Sequence, residues 1–228
     1  MNLKSKLKKV FIVAEIGNNH EGNFDTALKL IDQACIAGAD AVKFQTFKAE
    51  NFISSTEKER FKKLKSFQLS YEEFKKIADY AKRKKIIFFS TPLDIESAYF
   101  LNKIQKLFKI ASGDNNFYEL IKVVSSFKKF VIISTGLANL KNLKKISSFI
   151  PKKQLAFLHC VSSYPVAKEE INLLEIQKLK NEFPEIPIGY SDHSNNYLVP
   201  IYAVILGAQI IEKHFTLDKK FSNFRDHS

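Results

Sequence analysis

Short runs of β-branched and aromatic residues alternate along the chain with longer stretches whose apolar residues recur three and four positions apart. These are the periods of buried strands and of amphipathic helices. The runs FIVAE (11–15), DAVKFQT (40–46), IIFFST (86–91), LFKIAS (107–112), FVIIST (130–135), LAFLHCVS (155–162), IPIGYSD (186–192) and QIIEKHFT (209–216) predict eight strands. Helices are expected near 24–37, 70–84, 94–105, 117–127, 139–150, 171–183 and 198–206. Ser70 with Glu73 marks a capping box, and Gly38 stands where the first helix needs a left-handed cap.

Strands that are apolar on both faces and joined by helical crossovers form a parallel sheet. Eight β/α steps without a charged edge strand favour a closed (β/α)8 TIM barrel, an α/β fold, over an open doubly wound sheet. The chain stops at Ser228 inside the loop after the last strand, so residues 1–228 are expected to form one barrel domain lacking its eighth helix. Asp-His-Ser occurs twice, at 192–194 and 226–228, but no repeat at a fixed period accompanies it.

Composition narrows the class. A chain of 228 residues, 45% hydrophobic and 26% charged, has the balance of a soluble globular protein, and no uninterrupted apolar run reaches membrane-spanning length. The start MNLKSKLKKVFIVAE is basic and then apolar, but the apolar part is short, contains Glu15 and lacks a small-residue cleavage site. It reads as a lysine-rich lead into a buried strand of a cytoplasmic protein. Cys35 and Cys160 fall on a predicted helix and a predicted strand, and are expected to be buried free thiols. A net charge of +12 admits nucleic acid, an anionic membrane or a small anionic substrate. The lysines gather mostly at helix ends and no base-stacking motif accompanies them, which argues against nucleic acid and membrane.

Candidate chemistry concentrates where a β/α barrel keeps its site, at the C-terminal ends of the strands. Strand one ends in Glu15; strand two in Lys43, Gln45 and Thr46; strand three in Ser90 and Thr91; strand four in Lys109, Ser112 and Asp114. Strand five ends in Ser134, Thr135 and Gly136, and strand six in His159, Ser162 and Tyr164. Strand seven ends in Ser191, Asp192 and His193, and strand eight in Glu212, Lys213, His214 and Thr216. Taken singly, a serine or threonine here caps the next helix and a histidine is structural.

Together they point to an anion site. Lys43 and Lys109 near a barrel axis are costly to keep charged unless an anion pairs them. Hydroxyls of Thr91, Ser112, Ser134 and Ser191 can surround the same point, as suits phosphate or carboxylate. His193 and His214 end neighbouring strands and can meet at a divalent ion with open positions, such as Mn²⁺, Fe²⁺, Co²⁺ or Zn²⁺. His159 and Cys160 are adjacent on a strand and face opposite sides, which argues against a Cys/His couple.

The segments AEIGNNHEG (14–22), GADAVKFQT (38–46), FFSTPLD (88–94), KIASGD (109–114), ISTG (133–136), HCVSSYP (159–165), GYSDHS (189–194) and IEKHFTLD (211–218) together resemble the N-acetylneuraminate synthase (sialic acid synthase) family. The resemblance implies condensation of phosphoenolpyruvate with an N-acetylated mannosamine-type sugar to give a nine-carbon sialic acid and phosphate. It implies a divalent cofactor, often Mn²⁺, with Mg²⁺ or Co²⁺ as alternatives, held by His193 and His214. Lys43, Thr91, Lys109, Ser112, Ser134 and Ser191 would take phosphoenolpyruvate, with Ser162 where some members have Asn. Glu15, Gln45, Tyr164 and Asp226 would hold the sugar, and Glu15 or Asp114 would act on the water.

Members of that family normally continue into a C-terminal antifreeze-like domain, absent from this chain, that completes the partner's site in a homodimer; a dimer is expected here, weakened without it. The loop KKFSNFRDHS (219–228) lacks the Gly-Pro that many members carry before the Asp. Other readings therefore stay open: a synthase for legionaminic, pseudaminic or spore-coat sugars, or an inactive remnant that binds phosphosugars.

Overall fold

The computed structural model describes residues 9–222, 224 and 227. Along the chain run β1 (Phe11–Gly17), α1 (Phe24–Ile36), β2 (Ala41–Thr46), α2 (Ala49–Phe52), α3 (Lys58–Phe67), α4 (Tyr71–Arg83), β3 (Ile87–Pro92) and α5 (Ile95–Leu101). There follow β4 (Leu107–Ile110), α6 (Tyr118–Ser126), β5 (Phe130–Ser134), α7 (Leu140–Phe149), β6 (Leu155–His159), α8 (Leu174–Glu182), β7 (Ile188–Asp192), α9 (Leu198–Ile205) and β8 (Ile210–His214). All eight expected strands form, and every laddered pair is parallel. The fold is the expected TIM barrel.

Two helices were not legible. α3 buries only Phe67 of its ten residues, so its sequence KERFKKLKSF reads as a solvated lysine run rather than as a core helix. Its end nonetheless has a structural task. A Cβ on Gly22, which sits at φ +78°, would lie 2.1 Å from the carbonyl oxygen of Ser66, so only glycine lets the loop after β1 meet α3. α4, by contrast, follows its pattern: Ser70 and Glu73 form the capping box, and Phe74, Ile77 and Ala81 face the core. Cys160 is buried and Cys35 only half-buried, and both are free. The expectation for Cys35 is thus corrected, because α1 turns Leu30, Ile31 and Ala34 inward and leaves it at the margin.

The strand order β3-β2-β1-β8-β7-β6-β5-β4 leaves β3 and β4 at its two ends. They lie against each other without a backbone ladder. At this seam Gln105 does the work of a strand: its Oε1 accepts from Ser90 N at 2.8 Å and its Nε2 donates to Ser90 O at 3.2 Å. Lys129 Nζ in turn donates to Gln105 O at 2.7 Å. Gln105→Leu leaves a buried N–H and a buried C=O without partners, and is expected to destabilise the fold by about 2–4 kcal/mol. Urea unfolding of the two proteins measures this, and a difference near zero would remove Gln105 from that role.

Inside the barrel, Phe11, Val13, Ala41, Phe89, Leu107, Ile132, Ala156, Leu158 and Ile210 form one apolar plug. A larger apolar layer fills the space between strands and helices. Above the plug the same inward register turns polar, so the interior is dry at its foot and charged at its mouth. No helix among the described residues is long and apolar enough to cross a membrane.

Candidate active site

Parallel register brings the charged residues together. Glu15 on β1 stands beside Lys43 on β2 and His214 on β8. Lys43 Nζ lies 2.9 Å from Glu15 Oε2, 3.2 Å from Thr91 Oγ1 and 3.7 Å from Glu212 Oε1. Lys109 Nζ reaches the same Glu212 oxygen at 3.2 Å, and Ser191 Oγ donates to it at 3.1 Å. All four charged groups are at most 4% exposed. Gln45 Nε2 approaches Glu15 Oε1 at 3.5 Å, while its Oε1 accepts from Asn18 Nδ2 at 2.7 Å.

This network alters the electrostatic expectation. The two lysines do not wait for an outside anion, because Glu15 and Glu212 already balance them. Glu212 was seen in the sequence as a polar strand end but given no part in the site. Its position two residues before His214, and hence on the same strand face, was the available signal. Burial works against the charge of Glu212, but Lys109 and Lys43 overcome it and hold its pKa at about 2. Burial raises Glu15 to about 7 against the pull of Lys43. Lys43 is raised despite its burial, by Glu15 and Glu212. Lys109 is lowered by burial, against the opposing pull of Glu212. Lys109 faces one carboxylate, Glu212, whereas Lys43 faces two, Glu15 and Glu212.

Serine hydroxyls follow at the ends of β4, β5 and β6. Ser162 Oγ donates to Ser112 Oγ at 3.0 Å. A Cβ on Gly136 would lie 2.5 Å from Ser162 Oγ and 2.8 Å from Cys160 Sγ, so glycine is required where β5 leaves the barrel. Asn115 Nδ2 donates to Gly136 O at 2.6 Å and fixes that turn. Ser134 Oγ is buried and has no hydrogen-bond partner, and the same holds for Glu212 Oε2. Unpaired buried oxygens of this kind mark a place where a bound group completes the bonding. Asp114, in the turn after β4, is raised by burial to about 6, with Lys109 pulling the other way.

The histidines form the third part. His193 Nδ1 lies 2.7 Å from Val161 O, so it carries the proton and Nε2 keeps its lone pair free. The His214 ring centroid is 5.5 Å from that of His193, and its buried Nδ1 has no partner. Burial lowers both histidines, His214 to about 3 with help from His193 and Lys43, so both are neutral. Tyr164 packs on His193 at 4.0 Å between centroids. Two neutral imidazoles with free nitrogens fit a divalent ion that takes its other ligands from water or substrate. Among the described residues, no group of three or more His, Cys, Asp and Glu side chains is disposed to hold a metal by itself.

Several expected members of the mouth turn away from it. Lys213 Nζ meets Asp192 Oδ2 at 2.5 Å and Ser194 O at 2.7 Å, tying β8 to the loop before α9. Residues 192 and 213 alternate with the inward 191, 212 and 214, and so belong to the outer face. His159 also points outward, its Nε2 3.0 Å from Ile171 O, while Cys160 faces Gly136. Asp226 lies outside the described residues.

Known proteins match this chain in sequence and in fold. The sequence model of the NeuB family matches residues 30–228. An uncharacterized protein of Methanocaldococcus jannaschii is 43% identical over 227 residues, covering 98% of this chain and 66% of its own. The N,N'-diacetyllegionaminic acid synthase of Campylobacter jejuni is 39% identical, covering 95% of this chain and 70% of its own. Among solved structures, a sialic acid synthetase from Leptospira borgpetersenii in complex with citrate superposes with a TM-score of 0.92 at 38% identity. That match covers 97% of this chain and 78% of the other. The chain thus spans about two thirds of the length of the curated relatives it matches.

Proposed function

Because this chain belongs to the NeuB family, we propose that it is the barrel of a sugar-acid synthase. It joins phosphoenolpyruvate to N-acetylmannosamine, or to a closely related N-acetylated sugar, and releases phosphate. The observation that carries this reading is the buried Lys43–Glu212–Lys109 cluster, set below the neutral His193–His214 pair and accompanied by the unpartnered Ser134 hydroxyl.

In this reading Lys109 and the hydroxyls of Ser112, Ser134 and Ser162 hold the phosphate and carboxylate of phosphoenolpyruvate. Lys43 stays charged through Glu15 and Glu212, and Thr91 orients it. Fixed donors of this kind stabilise developing charge without reorganising during reaction. Gln45, Tyr164 and Asp226 hold the acceptor sugar. His193 and His214 would ligate a divalent ion, Mn²⁺ first, whose contribution when bound is to polarise the aldehyde oxygen of the open-chain sugar.

The C2=C3 π pair of phosphoenolpyruvate forms the bond from C3 to that aldehyde carbon and leaves C2 electron-poor, while the aldehyde oxygen becomes a hydroxyl by taking up one proton, balanced by the one the added water gives up. Water then adds at C2 and gives up a proton, leaving a tetrahedral hemiketal phosphate. The bond between C2 and the bridging phosphate oxygen then breaks, phosphate leaves with that oxygen and takes the proton of the C2 hydroxyl, and a C2 carbonyl remains. Glu15 and Asp114 have pKa values raised by burial to about 7 and about 6, so either carboxyl is suited to accept the proton from water near neutral pH.

Phosphate release from phosphoenolpyruvate is expected to require both a divalent metal and N-acetylmannosamine. The similarity to the C. jejuni legionaminic acid enzyme, 39% against 38% for the L. borgpetersenii sialic acid enzyme, supplies the competing acceptor. Turnover of the diacetylated legionaminate precursor alone would reassign the sugar. Binding of phosphoenolpyruvate with no turnover of any acceptor would make the chain a binding remnant.

A further inference from the structure

At the other end of the barrel from the charged mouth, a cavity of about 690 Å³ opens at the foot of the β3/β4 seam, between α4, the start of β3 and the α5–β4 turn. Its rim carries Lys75, Lys82, Lys85, Lys103 and Lys106, with Asp79 the one lining carboxylate. Ala78, Ile86, Phe88 and Ile104 supply apolar surface beneath them. Lys75 has Glu72 at 2.6 Å, and Lys84, just outside the cavity, has Asp32 at 2.7 Å. Among the described residues, no carboxylate pairs with Lys82, Lys85, Lys103 or Lys106, although carboxylates partner lysines over much of the remaining surface. Lys85 also sits at φ +61°, a left-handed conformation that costs a side-chain-bearing residue about 1–2 kcal/mol relative to glycine. The chain thus keeps a cation on this rim at a position where its backbone would favour glycine.

We propose that this cavity is a second binding site, which takes a small phosphorylated ligand with a flat or apolar body, of the nucleotide class. Unpaired ammonium groups converging from α4 and from the two turns suit the several charges of a diphosphate, each acting as a point donor. The apolar floor suits a ring, and the volume falls in the range of about 300–1,000 Å³ usual for small-molecule sites. The site shares no lining residue with the mouth, and so it is separable from the proposed synthase chemistry.

The test is isothermal titration of the full chain in about 0.15 M salt, where long-range attraction between exposed charges is largely screened. The probes are ADP, CDP, GDP and UDP, with adenosine and inorganic tripolyphosphate as half-ligands. At least one diphosphate is expected to bind at least tenfold more tightly than tripolyphosphate and than adenosine. Lys82→Glu combined with Lys106→Glu should weaken that binding at least tenfold, whereas His214→Ala at the mouth, which leaves the fold in place, should leave it unchanged. Lys85→Gly should weaken it severalfold without lowering the thermal midpoint, separating a binding role from a structural one. The proposal is overturned if no diphosphate binds better than tripolyphosphate, or if the paired Lys82 and Lys106 substitutions leave binding intact.

Discussion

Lys109→Met is expected to abolish turnover and, separately, to cost the fold about 3–5 kcal/mol, the usual penalty for leaving a buried charge without its closest partner. Glu212 is 4% exposed and holds Lys109 at 3.2 Å and Lys43 at 3.7 Å. Without Lys109 it keeps only the more distant lysine and the Ser191 hydroxyl, and Lys43 is already engaged by Glu15 at 2.9 Å. The two losses come apart in the double variant Lys109→Met with Glu212→Gln. Removing both charges together restores most of the stability, because a buried pair gains little over neutral groups of similar volume. It does not restore turnover, since the cation that meets the substrate anion is still gone. A loss of about 10²–10³-fold is expected, the scale of a single well-placed donor in a closed site. Urea unfolding and phosphate release, measured on the single and double variants, check both halves. A double variant that is stable and fully active would remove Lys109 from substrate binding.

The same cluster shows what a linear reading can and cannot reach. The strand pattern located the barrel and the end of each strand. Two-residue alternation puts Glu15, Lys43, Lys109, Ser191 and His214 on one face of their strands. Alternation gives a side, however, and not a partner. Lys43 meets Glu15 because β1 and β2 pair in the register Glu15↔Lys43, and Lys109 meets Glu212 across the barrel interior. Both facts depend on closure of a ring whose contacts are more than a hundred residues apart in the second case. The lysines were therefore read as awaiting an external anion, when the chain supplies two carboxylates of its own.

Lys213 and Asp192 were placed at the mouth from proximity in the chain, although the same alternation sends them outward to each other. α3 escaped because a helix that buries one side chain carries almost no periodic signal. Gln105 was invisible for a related reason. A glutamine between Ile104 and Lys106 reads as surface, and only the unladdered seam makes its amide a substitute for a strand.

His214→Ala is expected to eliminate metal-dependent turnover while leaving the fold in place. The geometry separates this from a structural role. His193 is anchored through Nδ1 to Val161 O at 2.7 Å, so its position is maintained by the loop after β6 whether or not a ligand is present. Among the described residues His214 has no such anchor: its Nδ1 is buried without a partner, and its ring meets those of His193 and Tyr164. A polar nitrogen left unpaired in the interior costs about 1–3 kcal/mol. Alanine removes that cost while giving up some packing, so the two effects oppose each other and the net change in metal-free stability is small. A histidine that served only to support the fold would show the reverse, a clear loss of stability with metal affinity unchanged. Mn²⁺ binding by equilibrium dialysis should fall at least about 100-fold in His214→Ala, since one of the two proposed protein ligands is lost. Phosphoenolpyruvate binding through Lys109 and the hydroxyls should persist. Thermal unfolding, Mn²⁺ dialysis and phosphate release on one preparation decide the matter. Wild-type Mn²⁺ affinity in the variant would mean that the pair at the ends of β7 and β8 is not the metal site, even if turnover were lost.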